Sequence, residues 1–287
     1  MTTELQERAT AFMDANPVFR RDEFAAAMDL PKSSSAVGRL LRQQVAAKRI
    51  RRLRREVFAA VPDHKTPGRL VLPDYIHASK YRTDGVLGYH TGLRLFGIQY
   101  SVTVSQVQVI SNGPAGYART PFGRCRFIKP HRALVDAGKT DFLTVRKEPA
   151  GIPVRVTAFE RTLVDVLHRP GRAGGRDEVI DSLATAPYVL RSFDPGKVAD
   201  YVELLGIRSL AGVVGWWLES WRSELDVHER VLDRLRAMLP DWHSYWLRAR
   251  PGKATLVRPW RVYIPTDDVD PTCQGFPPHE WPRRQWQ

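Results

Sequence analysis

The chain has 287 residues, 43% of them hydrophobic, with two cysteines and a formal charge of +13. That length suits about two domains with an ample core, and the lack of an apolar run of about 18 residues predicts no membrane span. Acids at Glu4 and Glu7 argue against a secretory signal. Cys125 and Cys273, far apart and without metal-ligand spacing, suit reduced thiols in a cytoplasmic protein and predict no metal site or cofactor.

The excess charge is concentrated in the first 132 residues. Residues 32–58 hold nine Lys or Arg against the single acid Glu56, so this tenth of the chain carries +8 of the +13. Residues 66–132 add nine basic side chains against Asp74 and Asp84, and from 133 onward the charges nearly balance. Such asymmetry points to a polyanionic partner, because displacing condensed counterions from phosphates drives association without any base contact.

Apolar Leu5, Ala9, Phe12 and Met13 recur at helical spacing, and Asn16-Pro17 ends that helix. A second helix is expected over 21–28, with Asp22 and Glu23 in its first turn. Ser33 or Ser34 then offers a hydroxyl to cap a third helix. Its apolar stripe is read as Val37, Leu40, Leu41, Gln44 and Val45, with Ser35, Arg39, Arg42 and Gln43 facing away. Strands over 50–53 and 57–60 meet at an Arg54-Arg55 turn, which lacks the Gly or Asn of a tight primed turn.

Helix, helix-turn-helix and basic hairpin, in that order, predict a winged helix over 1–65. The third helix would enter the major groove. Lys32, Ser33, Ser34 and Ser35 are then expected at its groove end, Arg39 and Arg42 on the following turns, and Lys48, Arg49, Arg51, Arg52, Arg54 and Arg55 along the wing. Ser and Arg contact bases or phosphates alike, so positioning and readout are not separated at this level.

Residues 62–68, with two prolines and a glycine, read as a linker to a second domain over 66–287. There the pattern predicts helices over 72–81 and 88–96, a strand over 102–110, weaker strands over 125–128, 143–145 and 152–156, and a strong helix over 158–168. Further helices are expected over 178–184, 196–205, 209–221 and 225–239, and a strand over 258–264. Strands and helices without regular βαβ alternation give an α+β class.

The winged-helix pattern is followed by ASKYRTDGVLGYHTGLRLFGI at 78–98 and VTAFERTLVDVL at 156–167. In that order and spacing the chain resembles the AbiEi antitoxins of type IV toxin–antitoxin and abortive-infection systems, over roughly residues 5–240. The resemblance implies a cytoplasmic protein that represses its own operon by binding inverted repeats in double-stranded promoter DNA. It also implies a second domain that neutralises a cognate nucleotidyltransferase toxin. The family's usual Ser-Pro-Glu-Arg is here Ala158-Phe159-Glu160-Arg161, so the cap of that helix is altered, and residues from about 241 match nothing in the family.

No catalytic constellation is expected. Glu160, Arg161 and Asp165 suit a half-buried salt bridge, since Arg161 and Asp165 are i, i+4 partners. Asp136, Asp141 and Glu148 lack the order a metal nuclease needs, His90 suits a core or capping role, and Gly171–Gly175 suits a flexible connection. Trp216, Trp217 and Trp221 suit helix packing. A ligand-responsive regulator without a toxin and, more remotely, a DNA nuclease are the competing functions. A second basic surface is expected from Lys80, Arg82, Arg94, Arg119, Arg124, Arg126, Lys129 and Arg132, either continuing the DNA path or meeting another acidic partner.

Overall fold

The structure is a computed structural model that describes residues 3–61, 72–101, 106–120, 123–190, 192–248 and 254–265. The chain opens with α1 (Thr3–Ala15), β1 (Val18–Arg20), α2 (Arg21–Ala27), α3 (Ser35–Ala46), β2 (Ile50–Arg54) and β3 (Val57–Ala60). The three strands form an antiparallel sheet in the order β1-β3-β2. Successive side chains on a strand face opposite ways, so this small sheet serves two cores. Phe19, Ile50 and Phe58 join Phe24, Val37, Leu40 and Leu41 beneath the helices, where Phe19 stacks on Phe24 and Phe58 at 5.7 and 5.9 Å. Val18, Val57 and Ala59 point the other way, into a cluster with Ile76, Ala78, Tyr81, Val107 and Val156.

The first sixty residues are therefore packed on the rest of the chain through shared apolar surface. Lys80 Nζ reaches Glu23 at 2.6 Å, Arg20 Nη1 donates to the Lys80 carbonyl at 2.9 Å, and the Arg54 guanidinium lies 4.9 Å from the Tyr81 ring centre. The expected linker over 62–68 lies outside the described residues. Cutting there would expose Val18, Val57 and Ala59, so the first unit is not expected to be a clean fragment.

The remainder contains α4 (Asp74–Ser79), β4 (Val86–Leu87), α5 (His90–Leu95), β5 (Gln106–Ile110), β6 (Gly116–Thr120), β7 (Gly123–Ile128), α6 (Arg132–Asp136), β8 (Thr144–Lys147), β9 (Val154–Thr157) and α7 (Phe159–His168). It continues through α8 (Arg176–Val189), α9 (Pro195–Leu205), α10 (Arg208–Ser220), α11 (Glu229–Ala237), β10 (Ser244–Tyr245), β11 (Ala254–Val257) and β12 (Val262–Pro265). A mixed six-stranded sheet runs β6-β7-β5-β4-β9-β8, with β5–β7 and β4–β9 parallel. This is an α+β fold.

Several boundaries differ from the periodicity. The first helix after the linker covers only Asp74–Ser79, and the next begins at His90 because Tyr89, at φ +53°, turns the chain before it. The strand expected over 102–110 is described only from Gln106. Residues 225–228 precede α11, with Asp226 at φ +48°, and 258–260 form a 3₁₀ turn before β12. Gly174 and Gly175 have positive φ, and Gly175 is the N-cap of α8, so that stretch launches a helix. Strands β6, β10 and β11 and helix α6 carry no periodic signal and were not expected.

The described residues after 241 are integral to the fold. Strands β10, β12 and β11 form a sheet that seats Trp246 and Trp260 against α10, whose Trp216 meets Trp246 edge-on at 4.4 Å. Gly215 on α10 lies directly under the Trp260 ring, so close that a Cβ there would collide with it. Trp216, Trp217 and Trp221 are buried core residues, as expected. Among the described residues no helix is long and apolar enough to cross a membrane.

His77 of α4 is fully enclosed, and burial pushes its imidazole down to about 4. Its folded value lies below the unfolded value of about 6.5, so stability is complete above the latter and is lost as pH falls toward the former. Denaturation midpoints are expected to drop between about pH 7 and about pH 4, and His77→Asn is expected to flatten that drop. Parallel acid limbs for the two proteins would contradict it.

Candidate nucleic-acid interface

Helix α3 begins where a side chain can close its first turn. Of the two candidate caps the structure selects Ser34, whose Oγ accepts from the Ala36 amide at 3.2 Å. Val37, Leu40, Leu41 and Gln44 are buried, and this fixes the opposite face in solvent. Val45 is the exception to the expected stripe, at 39% exposed. It sits about 80° around the helix from Val37, at the margin of the apolar arc. Ser34→Ala is expected to cost about 0.5–2 kcal/mol, read as a lower melting temperature.

Lys32, Ser33, Ser35, Arg39, Arg42, Lys48, Arg49, Arg51, Arg52, Arg54 and Arg55 are all exposed, with Ser34 half-buried by its capping role. Lys32 pairs with Glu56 at 3.6 Å, tying the start of α3 to the hairpin. None of Arg39, Arg42, Lys48, Arg49, Arg51, Arg52, Arg54 and Arg55 forms an ion pair among the described residues. Some cations elsewhere are compensated: Arg234 meets Asp200 and Glu203 at 2.6 and 2.7 Å, and Arg236 meets Glu219, Glu229 and Asp233.

The hairpin turn is Arg55-Glu56, one residue beyond the expected position, and neither residue has positive φ. The strands accommodate this unprimed turn through a bulge between Arg52 and Arg54. Arg52 serves the turn itself, donating to the Arg54 and Arg55 carbonyls at 3.2 and 3.0 Å. With Arg54 lying over Tyr81, the hairpin cations with no side-chain task of their own are Arg51 and Arg55.

Arg21 was missed in the sequence. It opens α2, and its Nη2 lies as close as Arg42 Nη1, 3.5 Å, to where a Cβ on Gly38 would sit. Two guanidinium groups thus converge over the one residue of α3 without a side chain. The signal was its place at the start of the first helix of the helix-turn-helix, which lies beside the N-terminus of the second.

The second basic block does not form one face. Lys80 points to the first unit, and Arg82 lies over Phe127 at 4.7 Å. Arg94 is paired with Asp74 and exposed Arg132 with Asp136, at 2.8 and 3.3 Å. On β7, Cys125 and Phe127 enter the shared core, so Arg124 and Arg126 project from the other side of the pleat. Arg119 is the cross-strand partner of Arg124, and Arg126 lies 5.4 Å from the ring centre of exposed Tyr117; Lys129 is exposed just beyond β7. Arg82, lying on Phe127, and the outward Arg124 and Arg126 thus belong to opposite faces of β7.

Most charged groups considered for catalysis have structural partners. Arg161 is enclosed, donates to the Thr140 and Phe142 carbonyls at 2.9 and 2.7 Å, and faces Asp165 at 3.6 Å. Asp165 accepts from Tyr201 at 2.8 Å, and burial raises its carboxyl above the usual range. The pair is thus fully rather than half buried. Glu160 accepts from the Asp194 amide at 3.1 Å.

His90 meets Glu178 at 3.0 Å inside the core, where burial lowers its imidazole. Asp141 is engaged by Arg155, and among the described residues no three His, Cys, Asp or Glu side chains gather as metal ligands. Burial pushes the Cys125 thiol up to about 12, which keeps it protonated and inert. Cys273 lies outside the described residues.

No known family pattern matches the chain, and no curated protein matches it. Among solved structures it is similar to the crystal structure of the RV2827C protein from Mycobacterium tuberculosis. The two share 13% identity over 92% of each chain, with a TM-score of 0.50. At that identity the likeness extends to the fold alone.

Proposed function

We propose that the protein is a winged-helix DNA-binding repressor of its own operon, with α3 in the major groove and the β2–β3 hairpin on the adjoining backbone. One observation carries this reading: eight exposed cations, clustered on α3, the turn after it and the hairpin, form no ion pair among the described residues. A surface that is uncompensated in the free protein gains most from phosphate. The order of elements, the Ser34 cap and the outward Arg39 and Arg42 support placing α3 in the groove.

A mobility-shift titration on the DNA upstream of the gene, against scrambled DNA over a salt series, tests it. Tighter binding to the upstream DNA is the expected outcome; equal affinity for both would end the repressor reading. The antitoxin role is proposed on the sequence resemblance. Its test is co-expression with the product of an adjacent nucleotidyltransferase gene, where rescue of growth is expected and continued toxicity would refute it.

A ligand-responsive winged-helix regulator is a second reading, favoured by a cleft of about 420 Å³ in the second unit.

A further inference from the structure

The cleft lies between the end of α7, the first turns of α10 and residues 242–247. Its volume falls in the range of small-molecule sites. Leu167, Ile207, Leu210, Val213 and Leu247 give it an apolar lining, to which Trp242, His243 and Tyr245 add rings. Trp242 is 58% exposed and Tyr245 39%, large aromatic surfaces left facing water at the mouth of a concavity.

Both rings are steadied by neighbours that do not line the cleft. Arg208 lies 5.8 Å from the Trp242 ring centre and is itself anchored by donating to the Leu239 carbonyl at 2.8 Å. Tyr245 stacks on Tyr263 at 5.3 Å with 22° between the planes. Fixed aromatic faces lose little conformational entropy when a flat ligand settles on them.

The polar lining groups are His168, Ser209, His243 and Ser244, and the lining contains no Lys, Arg, Asp or Glu. A charged ligand would lose its hydration without gaining a counter-charge. A flat, neutral molecule with hydrogen-bonding edges meets imidazole and hydroxyl groups along its rim and aromatic rings across its face.

We infer that this cleft binds an uncharged planar nitrogen heterocycle of the nucleobase or nucleoside class. The site is separate from α3 and the hairpin, so the inference does not rest on the DNA-binding reading.

The test is calorimetric titration of the full chain with adenosine, guanosine, cytidine and uridine in turn, paralleled by NMR of the indole N–H signals. Saturable binding of at least one nucleoside is expected, weakened by about tenfold or more in Trp242→Ala, as loss of a stacking platform implies. Ser209→Trp, which fills the cleft, is expected to abolish it. Trp242→Ala removes an exposed side chain and keeps the test valid should Ser209→Trp fail to fold. No binding of any nucleoside at millimolar concentration, or binding unchanged in Trp242→Ala, overturns the inference. Operator binding, measured on the same preparations, reports separately on the DNA-binding reading.

Discussion

Arg39→Ala and Arg42→Ala are each expected to weaken the complex with upstream DNA by about 1–3 kcal/mol if their guanidinium groups read base edges. Both side chains are exposed and unpaired on the face of α3 opposite Val37, Leu40 and Leu41, so removing them leaves the core intact. The loss should be smaller on scrambled DNA, because a base contact has no counterpart there. A loss equal on both DNAs, with the salt slope reduced by about one per residue, would instead make them phosphate contacts. The residues are i, i+3 neighbours with like charge, so the double variant is expected to depart from additivity. Arg132→Ala is the matched control: Arg132 is exposed but sits on α6 beside Asp136, and its loss is expected to leave operator affinity unchanged. A comparable loss in this control would show that overall charge, rather than the α3 surface, drives binding.

Breaking the buried Arg161–Asp165 pair is expected to have the largest effect on stability. Either Arg161→Ala or Asp165→Ala leaves the other group enclosed without its partner, a change that costs about 3–5 kcal/mol. Arg161 also holds the Thr140 and Phe142 carbonyls, so its removal orphans two acceptors on the approach to β8. The combined Arg161→Met, Asp165→Leu variant removes both charges and is expected to be clearly less destabilised than either single variant. Chemical-denaturation midpoints of the three proteins decide this. If the single variants lost less than about 1 kcal/mol, the pair would not be the fastening that joins α7 to the loop before β8 and, through Tyr201, to α9.

Much of the surface proposed to face DNA was legible in the sequence because its signals are local. The apolar stripe of α3, the serine before it and the run of arginines after it are fixed by spacing within about thirty residues. The period also announced α7 as a helix, but not that it is buried on every side from Phe159 to Leu167. Edge strand β6 and the short strands β10 and β11 were not legible. They are short and gain their hydrogen bonds from partners elsewhere in the chain, so no period announces them.

The sequence by itself determined the α+β class, the order of elements in the first sixty residues and the set of cations that α3 and the hairpin can present. Only the tertiary structure decided which of those cations remain free, that Arg52 is spent on its own turn, and that Arg21 joins Arg42 over Gly38. It alone divided the second basic block across the two sides of a pleated sheet, buried Arg161 and Asp165 completely, and joined the two units through Val18, Val57 and Ala59. The reason is physical. Periodicity and capping are short-range properties of the chain, whereas compensation of charge and enclosure of a side chain depend on neighbours that only folding brings within a few ångströms.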